Sequence, residues 1–135
     1  MTYIWSPSLE TGFEKFDEQH KQLFNTLNSI ANASMEEKGA EELQKTLNFL
    51  TEFTAIHFSM EEDFMIQHNY PAYKAHKRYH EDFKVTIGNL IQQFHDEGPS
   101  KDLLLSVTVT IGDWLTCHIR VDDIQMAMYI KHNEL

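Results

Sequence analysis

Cysteine, basic side chains and long apolar runs are all scarce in this sequence. Its 135 residues include 1 cysteine, Cys117, which cannot form an internal disulfide and so favours a reducing compartment. No stretch approaches the roughly 18–20 apolar residues of a membrane-spanning helix. The opening residues, MTYIWSPSLETGFEKF, lack the basic region and the apolar stretch of a signal peptide. These absences predict a cytoplasmic protein that does not enter a membrane.

Acidic residues outnumber basic ones by 21 to 11, which gives a net charge of −10. Nucleic acid and anionic membrane surfaces would repel such a protein, so we expect neither as a partner. A hydrophobic fraction of 41% and a charged fraction of 24% are those of an ordinary globular protein. The length suits a single domain over residues 1–135, and the sequence shows no internal repeat or low-complexity segment.

Four segments carry apolar residues at helical spacing, and helix-breaking residues separate them. The breakers are Gly39, Asn69–Pro71 and Gly98–Pro99. Short connections between such helices predict an all-α protein, an up-down-up-down antiparallel four-helix bundle. We expect an N-terminal arm over 1–16, bundle helices over 17–37, 40–67, 71–96 and 100–120, and a short C-terminal tail helix over 122–133.

Two local signals within these helices need interpretation. The run from Val107 to Ile111 is β-branched and alternating, which by itself favours a strand. Because Leu104, Ile111 and His118 fall on one helical face, the longer window predicts a helix. Asp17 stands where the first helix is expected to begin, and we interpret it as the N-cap residue.

Histidine, in contrast, is abundant, with 8 residues in the chain. On the predicted helices, several histidines and one glutamate fall in the apolar, core-facing stripes. Burying one such polar group without a partner costs roughly 2–7 kcal/mol, so several together would prevent folding unless something satisfies them all. A metal ion does so. The candidate ligands are His20, His57, Glu61, His76, His80 and His118.

The spacing of these candidates along the chain provides a test. Ligands at one level of an up-down bundle must be equally far from the turn that joins their helices, because each residue rises about 1.5 Å. The midpoints are Lys38–Gly39 for His20 and His57, His68–Asn69 for Glu61 and His76, and Pro99 for His80 and His118. Every midpoint falls on a predicted turn or directly beside one. We therefore expect the candidates to converge in one layer.

Four short motifs resemble those of the hemerythrin family: DEQH at 17–20, HFSME at 57–61, HKRYH at 76–80 and HIRVDD at 118–123. The resemblance covers essentially the whole chain and includes Trp5 and Gly12 in the arm and Tyr70-Pro71 before the third helix. It implies a further carboxylate ligand five residues after the last histidine, which is Asp123. Helical spacing alone favours Asp122, which is four residues after His118.

Seven ligands are too many for one metal ion and indicate two. The resemblance implies two iron ions (Fe²⁺/Fe³⁺) joined by an oxo or hydroxo bridge. Six-coordinate ions would then leave one position open, on the ion with only two histidines. The implied function is reversible dioxygen binding for carriage, storage or delivery, with dioxygen bound end-on as hydroperoxide at one iron. Residues one turn from the ligands would form the apolar dioxygen pocket: Leu23, Phe58, Trp114, Leu115 and Ile119.

Two other functions fit the same ligands. One is a di-iron redox enzyme of the peroxidase, nitric oxide reductase or ferroxidase type, and the other is a dioxygen or redox sensor that acts through an unidentified protein partner. We favour binding without catalysis, and so no catalytic residue, because five imidazoles and two carboxylates form a less anionic site than the glutamate-rich di-iron oxygenases have.

Several acidic and histidine residues near the candidates are expected to have other roles. Asp17 could hydrogen-bond His20 instead of capping the helix. Glu62 and Asp63 are interpreted as part of a solvated helix face. The remaining histidines are expected at the surface: His68, His95 and His132.

Overall fold

The computed structural model describes residues 3–31 and 39–133 of the chain, and within these ranges it contains helices and no strand. The helices are α1 (Glu14–Ala31), α2 (Gly39–Gln67), α3 (Tyr73–Glu97), α4 (Lys101–His118) and α5 (Ile124–Asn133). A π-helical segment, Ile119–Asp123, joins α4 to α5. The first predicted turn and the predicted end of the first helix, around residues 32–38, lie outside the described residues.

The four long helices pack in a ring, because α1 contacts α2, α2 contacts α3, α3 contacts α4 and α4 contacts α1. Their shared core is built from the apolar stripes, with Leu27, Leu47 and Val107 fully buried and Ile87 nearly so. A second cluster at one end includes Phe16, from α1, and joins α2 to α5 through Met65, Met126 and Ile130. This arrangement confirms the predicted four-helix bundle with an arm before it and a short helix after it.

At each described turn between bundle helices, a residue in the left-handed conformation follows the end of the preceding helix. Asn69 has φ = 54°, and the N–H groups of Asn69 and Tyr70 donate to the carbonyls of Ile66 and Met65, which is the Schellman pattern. Gly98 has φ = 75°, and its N–H donates to the Phe94 carbonyl. These turns reverse the chain within a few residues, so the neighbouring helices run antiparallel and their ligand candidates stay in register.

Helix α4 contains the β-branched run that by itself resembles a strand. Val107, Thr108 and Ile111 are each at most 2% exposed on its inner face, and the Thr108 hydroxyl donates to the Leu104 carbonyl at 2.9 Å. Ser100 is the N-cap residue of α4, and its side chain accepts from the Leu103 N–H at 3.0 Å. Core burial and capping therefore outweigh the β propensity, as the longer window predicts.

The interpretation of Asp17 as an N-cap is wrong, because α1 begins at Glu14. The Asp17 carboxylate instead binds the arm, accepting from the N–H and hydroxyl of Thr11, both at 2.8 Å, and from the N–H of Gly12 at 3.1 Å. Gly12 has φ = 85°, a left-handed conformation that suits glycine. Asp17 therefore fixes the arm against the bundle.

The N-terminal arm crosses α1 and α4. Tyr3 and Asn28 exchange two hydrogen bonds of 2.7 Å through the Tyr3 backbone and the Asn28 amide. The Tyr3 ring fills the space that a Cβ on Gly112 would need. The arm thereby brings Trp5 against Phe24 and His20, with ring centroids 5.7 and 6.2 Å away.

No helix in the described ranges has both the length and the hydropathy for a bilayer crossing.

Candidate metal centre

Imidazole and carboxylate side chains from all four bundle helices and the π segment meet inside the bundle. Each is at most 3% exposed. They are His20 from α1, His57 and Glu61 from α2, His76 and His80 from α3, His118 from α4 and Asp123 from the π segment. The structure thus brings together all seven of the residues that the sequence and the resemblance singled out.

Glu61 lies between two groups of histidines and presents one oxygen to each. Its Oε2 atom is 3.1 Å from His57 Nε2 and 3.5 Å from His20 Nε2. Its Oε1 atom is 3.1 Å from His80 Nε2 and 3.4 Å from His76 Nε2. A carboxylate with this orientation can bridge two ions, each held by one group of imidazoles.

Asp123 divides its oxygens in the same way. Its Oδ2 atom is 3.1 Å from His20 Nε2, and its Oδ1 atom is 3.0 Å from His76 Nε2 and 3.3 Å from His118 Nε2. The donor atoms therefore form a two-histidine group (His20 and His57) and a three-histidine group (His76, His80 and His118), and both carboxylates belong to both groups.

The π-helical segment explains why Asp123 rather than Asp122 faces the centre. A π-helix has i→i+5 hydrogen bonds, so one turn takes about one residue more than in an α-helix. The residue five positions after His118 therefore returns to the inner face, and Asp123 is fully buried. Asp122 lies on the outer side, where its Oδ2 accepts from His118 Nδ1 at 2.9 Å.

The spacing of the imidazole nitrogens fits a metal ion. His20 Nε2 and His57 Nε2 are 3.0 Å apart, and His80 Nε2 and His118 Nε2 are 3.1 Å apart. Two nitrogens bound at right angles to one ion, with bonds of about 2.0–2.1 Å, would be separated by nearly the same distance. Such short contacts are therefore those expected of neighbouring ligands on a shared ion.

Hydrogen bonding within the described chain does not satisfy the centre. Both oxygens of Glu61, both oxygens of Asp123 and the Nε2 atom of His76 are buried without a hydrogen-bond partner there. His80 and His118 each donate Nδ1–H to an outer carboxylate, so in the neutral form their Nε2 lone pairs face each other. Cations between these atoms would satisfy them.

Without a cation, protons supply the positive charge. Burial lowers the pKa of His20 and of His76, but the neighbouring Asp123 and Glu61 carboxylates outweigh burial and raise both pKa values to about 9. For His118, the Asp123 and Asp122 carboxylates outweigh burial and raise the pKa to about 10. Burial raises the pKa of Glu61, but the charge of His57 and the other imidazoles next to the carboxylate bring the pKa well below its usual range. A metal ion that binds at the centre therefore has to displace protons from these imidazoles.

Three outer partners orient the imidazoles. Gln19 Oε1 accepts from His57 Nδ1 at 2.6 Å, and Glu62 Oε2 accepts from His80 Nδ1 at 2.8 Å. Asp122 Oδ2 accepts from His118 Nδ1 at 2.9 Å. A proton fixed on Nδ1 leaves Nε2 free to bind a metal. The interpretation of Glu62 as a solvated residue is wrong, since its side chain is only 14% exposed. Gln19 and Glu62 each reach a histidine on another helix, so spacing along one helix carries no signal for these contacts.

Aromatic rings cover the three-histidine group. Phe58 stacks on His80 with centroids 4.0 Å apart and planes at 5°, and Trp114 stacks on His118 at 4.4 Å and 20°. The other expected pocket residues, Leu23, Leu115 and Ile119, are at most 1% exposed and belong to the same core cluster as Phe58. Phe58 and Trp114 therefore contact ligand imidazoles directly, and a role of the five residues in holding dioxygen stays a prediction. Asp63, His95 and His132 are exposed.

Comparison with known proteins agrees with this geometry. Residues 11–130 match the family model described as the hemerythrin HHE cation binding domain. The chain is 29% identical to a bacteriohemerythrin of Stenotrophomonas maltophilia over 130 residues, which covers 95% of this chain and 81% of the relative. It is 32% identical to a myohemerythrin of Sipunculus nudus over 121 residues, covering 90% and 88%.

Solved structures show the same fold. A crystal structure of wild-type hemerythrin superimposes with a TM-score of 0.80 at 25% sequence identity, covering 94% of this chain and 96% of that one. The match therefore extends over nearly the full length of both chains. With its ligand layer, its helix order and a family match over nearly its full length, the chain belongs to the hemerythrin family.

Proposed function

We propose that this protein binds dioxygen reversibly at a di-iron centre, for carriage, storage or delivery. The proposed ligands are His20, His57, Glu61, His76, His80, His118 and Asp123. One observation carries the proposal: Glu61 and Asp123 each present one oxygen to the two-histidine group and the other to the three-histidine group. A pair of adjacent ions bridged by two carboxylates is the arrangement that this donor set fits.

The unequal number of histidines supports ligand binding at one ion. Two carboxylate oxygens and three imidazoles serve one position, whereas two carboxylate oxygens and two imidazoles serve the other. If both ions share one further oxygen bridge and are six-coordinate, the position on the two-histidine side has one free ligand site. These residues would hold an iron pair that would supply the electrons for reversible dioxygen binding, and the resemblance implies that dioxygen would bind end-on at one iron.

The chain's own residues favour binding over turnover. Phe58, Leu23 and Ile119 are buried apolar side chains of the bundle core and carry no proton donor. Three of the histidines donate their Nδ1–H groups to Gln19, Glu62 and Asp122, so these protons point away from the metal side. Bound dioxygen would therefore lack a ready supply of protons, which catalytic reduction requires.

Anaerobic iron loading followed by dioxygen exposure tests the proposal. We expect two irons per chain, little visible absorption in the reduced protein, and a visible band that appears with dioxygen and disappears when the gas is removed. Sustained dioxygen consumption in the presence of a reductant would instead indicate a redox enzyme. A coloured product that persists after degassing would also contradict reversible binding.

A further inference from the structure

The outer hydrogen bonds of the histidines are unequal on the two sides of the centre. In the three-histidine group, His80 and His118 donate their Nδ1 protons to carboxylates, those of Glu62 and Asp122, at 2.8 and 2.9 Å. In the two-histidine group, His57 donates to the neutral amide oxygen of Gln19 at 2.6 Å. The Nδ1 atom of His20 is buried and has no hydrogen-bond partner in the described chain.

The charge of an outer partner changes how strongly an imidazole donates to a metal. A carboxylate that accepts the Nδ1 proton draws that proton towards itself and increases the electron density at Nε2, whereas an amide does so much less. Glu62 and Asp122 are partly shielded from solvent, with side chains 14% and 22% exposed, so water screens their charges only in part. Both charges lie on the three-histidine side.

The neutral partner is held in place on the other side. Gln19 projects from α1 next to His20, and its amide nitrogen lies 3.2 Å from the Met60 sulfur on α2. With the nitrogen at Met60, the amide oxygen faces His57 Nδ1. The Trp5 ring lies 6.2 Å from the His20 ring, and no carboxylate accepts a hydrogen bond from His20 Nδ1 within the described chain. Three phenylalanine rings lie next to His57, those of Phe16, Phe53 and Phe58.

We propose that Gln19, Glu62 and Asp122 are positioning residues that make the two metal positions unequal. Glu62 and Asp122 strengthen the three-histidine position, which takes the first ion and stabilises the higher charge. Gln19 keeps the two-histidine position weaker, so that its ion stays in the reduced state when one electron is removed from the pair. The inference rests on the proposed di-iron function and adds a division of roles between the two positions.

Stepwise binding of cobalt(II) to the metal-free protein tests the inequality without dioxygen or electron transfer. We expect two steps in the cobalt absorption spectrum, with the tighter step at the three-histidine position. Glu62→Gln should weaken the first step about tenfold to hundredfold, the usual effect of losing an outer partner. Gln19→Glu should leave the first step unchanged and tighten the second by about tenfold.

Mössbauer spectra of the iron-loaded protein provide an independent readout. Ferricyanide, which accepts one electron and becomes ferrocyanide, should convert one ferrous ion to ferric in the wild-type protein and leave the other ferrous. In Gln19→Glu the difference between the first and second oxidation midpoints should shrink, because both positions then have an anionic outer partner. Gln22→Glu adds the same charge on the exposed face of α1 and should leave both midpoints unchanged.

The outcomes separate this inference from the proposed function. If the wild-type protein does not take up a second iron, the di-iron function fails, and the first cobalt step in Glu62→Gln still tests the role of the outer carboxylates. If both ions bind but neither the cobalt steps nor the oxidation midpoints change in Gln19→Glu and Glu62→Gln, the inference is overturned. The same holds if Gln22→Glu has an effect as large as Gln19→Glu.

Discussion

Glu61 and Asp123 show how single residues determine the chemistry of this centre. Both carboxylates are fully buried, and their oxygens have no hydrogen-bond donor within the described chain. Burying an uncompensated carboxylate costs many kcal/mol, so these residues are compatible with a stable fold only when positive charge lies between them and the imidazoles. Protons supply that charge in the metal-free protein, and metal ions would supply it in the loaded one.

Replacement of Glu61 should remove the link between the two metal positions. We expect Glu61→Ala to lose most of its iron, since both positions lose one of their ligand oxygens. Iron content after desalting measures the effect. His95→Ala is the matched control, because His95 is an exposed histidine and its loss should change neither iron content nor absorption spectrum. Retention of two irons in Glu61→Ala would contradict the assignment of Glu61 as a bridge.

The adjacent acids Asp122 and Asp123 should respond differently to the same substitution. Asp123→Asn removes the charge that both histidine groups share, so we expect iron content to fall to one ion per chain or fewer. Asp122→Asn changes only the outer partner of His118, and iron affinity should fall by about tenfold to hundredfold while two ions still bind at saturating iron. Competition with a calibrated chelator distinguishes the two results, and equal losses would contradict the different roles.

At the scale of elements, the described part of the chain departs from a plain four-helix bundle by the arm, the π segment and the short helix α5, and the first two bear on the centre. The π segment adds a residue to the turn after His118 and thereby turns Asp123 inward. The arm lies across α1 and α4 and is attached through Tyr3, Thr11 and Gly12. Each element therefore changes what surrounds the centre without altering the packing of the four long helices.

Loss of the Asp17 carboxylate should loosen the arm. Asp17 is 8% exposed and accepts three hydrogen bonds from the arm. A hydrogen bond to a charged group contributes about 1.5–3 kcal/mol to stability. We expect Asp17→Ala to lower the free energy of unfolding by about 1.5–3 kcal/mol in urea titrations. Glu18→Ala, at an exposed neighbouring acid, should change it by less than about 0.5 kcal/mol.

At the scale of the whole molecule, metal loading and protonation compete for the same atoms. In the metal-free protein the pKa values of His20 and His76 are about 9 and that of His118 about 10, compared with 6.5 for an ordinary histidine. A raised pKa means that the folded protein holds protons that the unfolded chain releases. The resulting stabilisation is complete below about pH 6.5 and is lost as the pH rises through 9 to 10.

Thermal unfolding at several pH values should reveal this competition. We expect the Tm of the metal-free protein to fall between about pH 6.5 and 10, while the iron-loaded protein loses less over the same range, because metal ions replace the protons. Circular dichroism melts of both forms provide the comparison. A parallel decrease in the two forms would show that the histidines of the centre do not hold these protons.

Local patterns in the sequence account for most of this structure. Helix geometry is local, so the spacing of His57 and Glu61, or of His76 and His80, places each pair on one face whatever lies beyond that helix. The positions of the turns set the level of each ligand residue along the bundle axis, and the sequence therefore predicts that the ligands lie in one layer. The resemblance to a family identified Asp123, which spacing alone did not favour.

Tertiary structure alone decided the contacts that depend on how the helices are rotated against one another. Gln19 reaches His57 and Glu62 reaches His80 across helix interfaces, and no spacing within one helix encodes either distance. Asp17 has a helix-start residue type, yet the arm folds back so that its backbone N–H groups reach the carboxylate first. The amino-acid pattern therefore determined which donors face inward, while packing determined which neighbours orient them and how charge is divided around the centre.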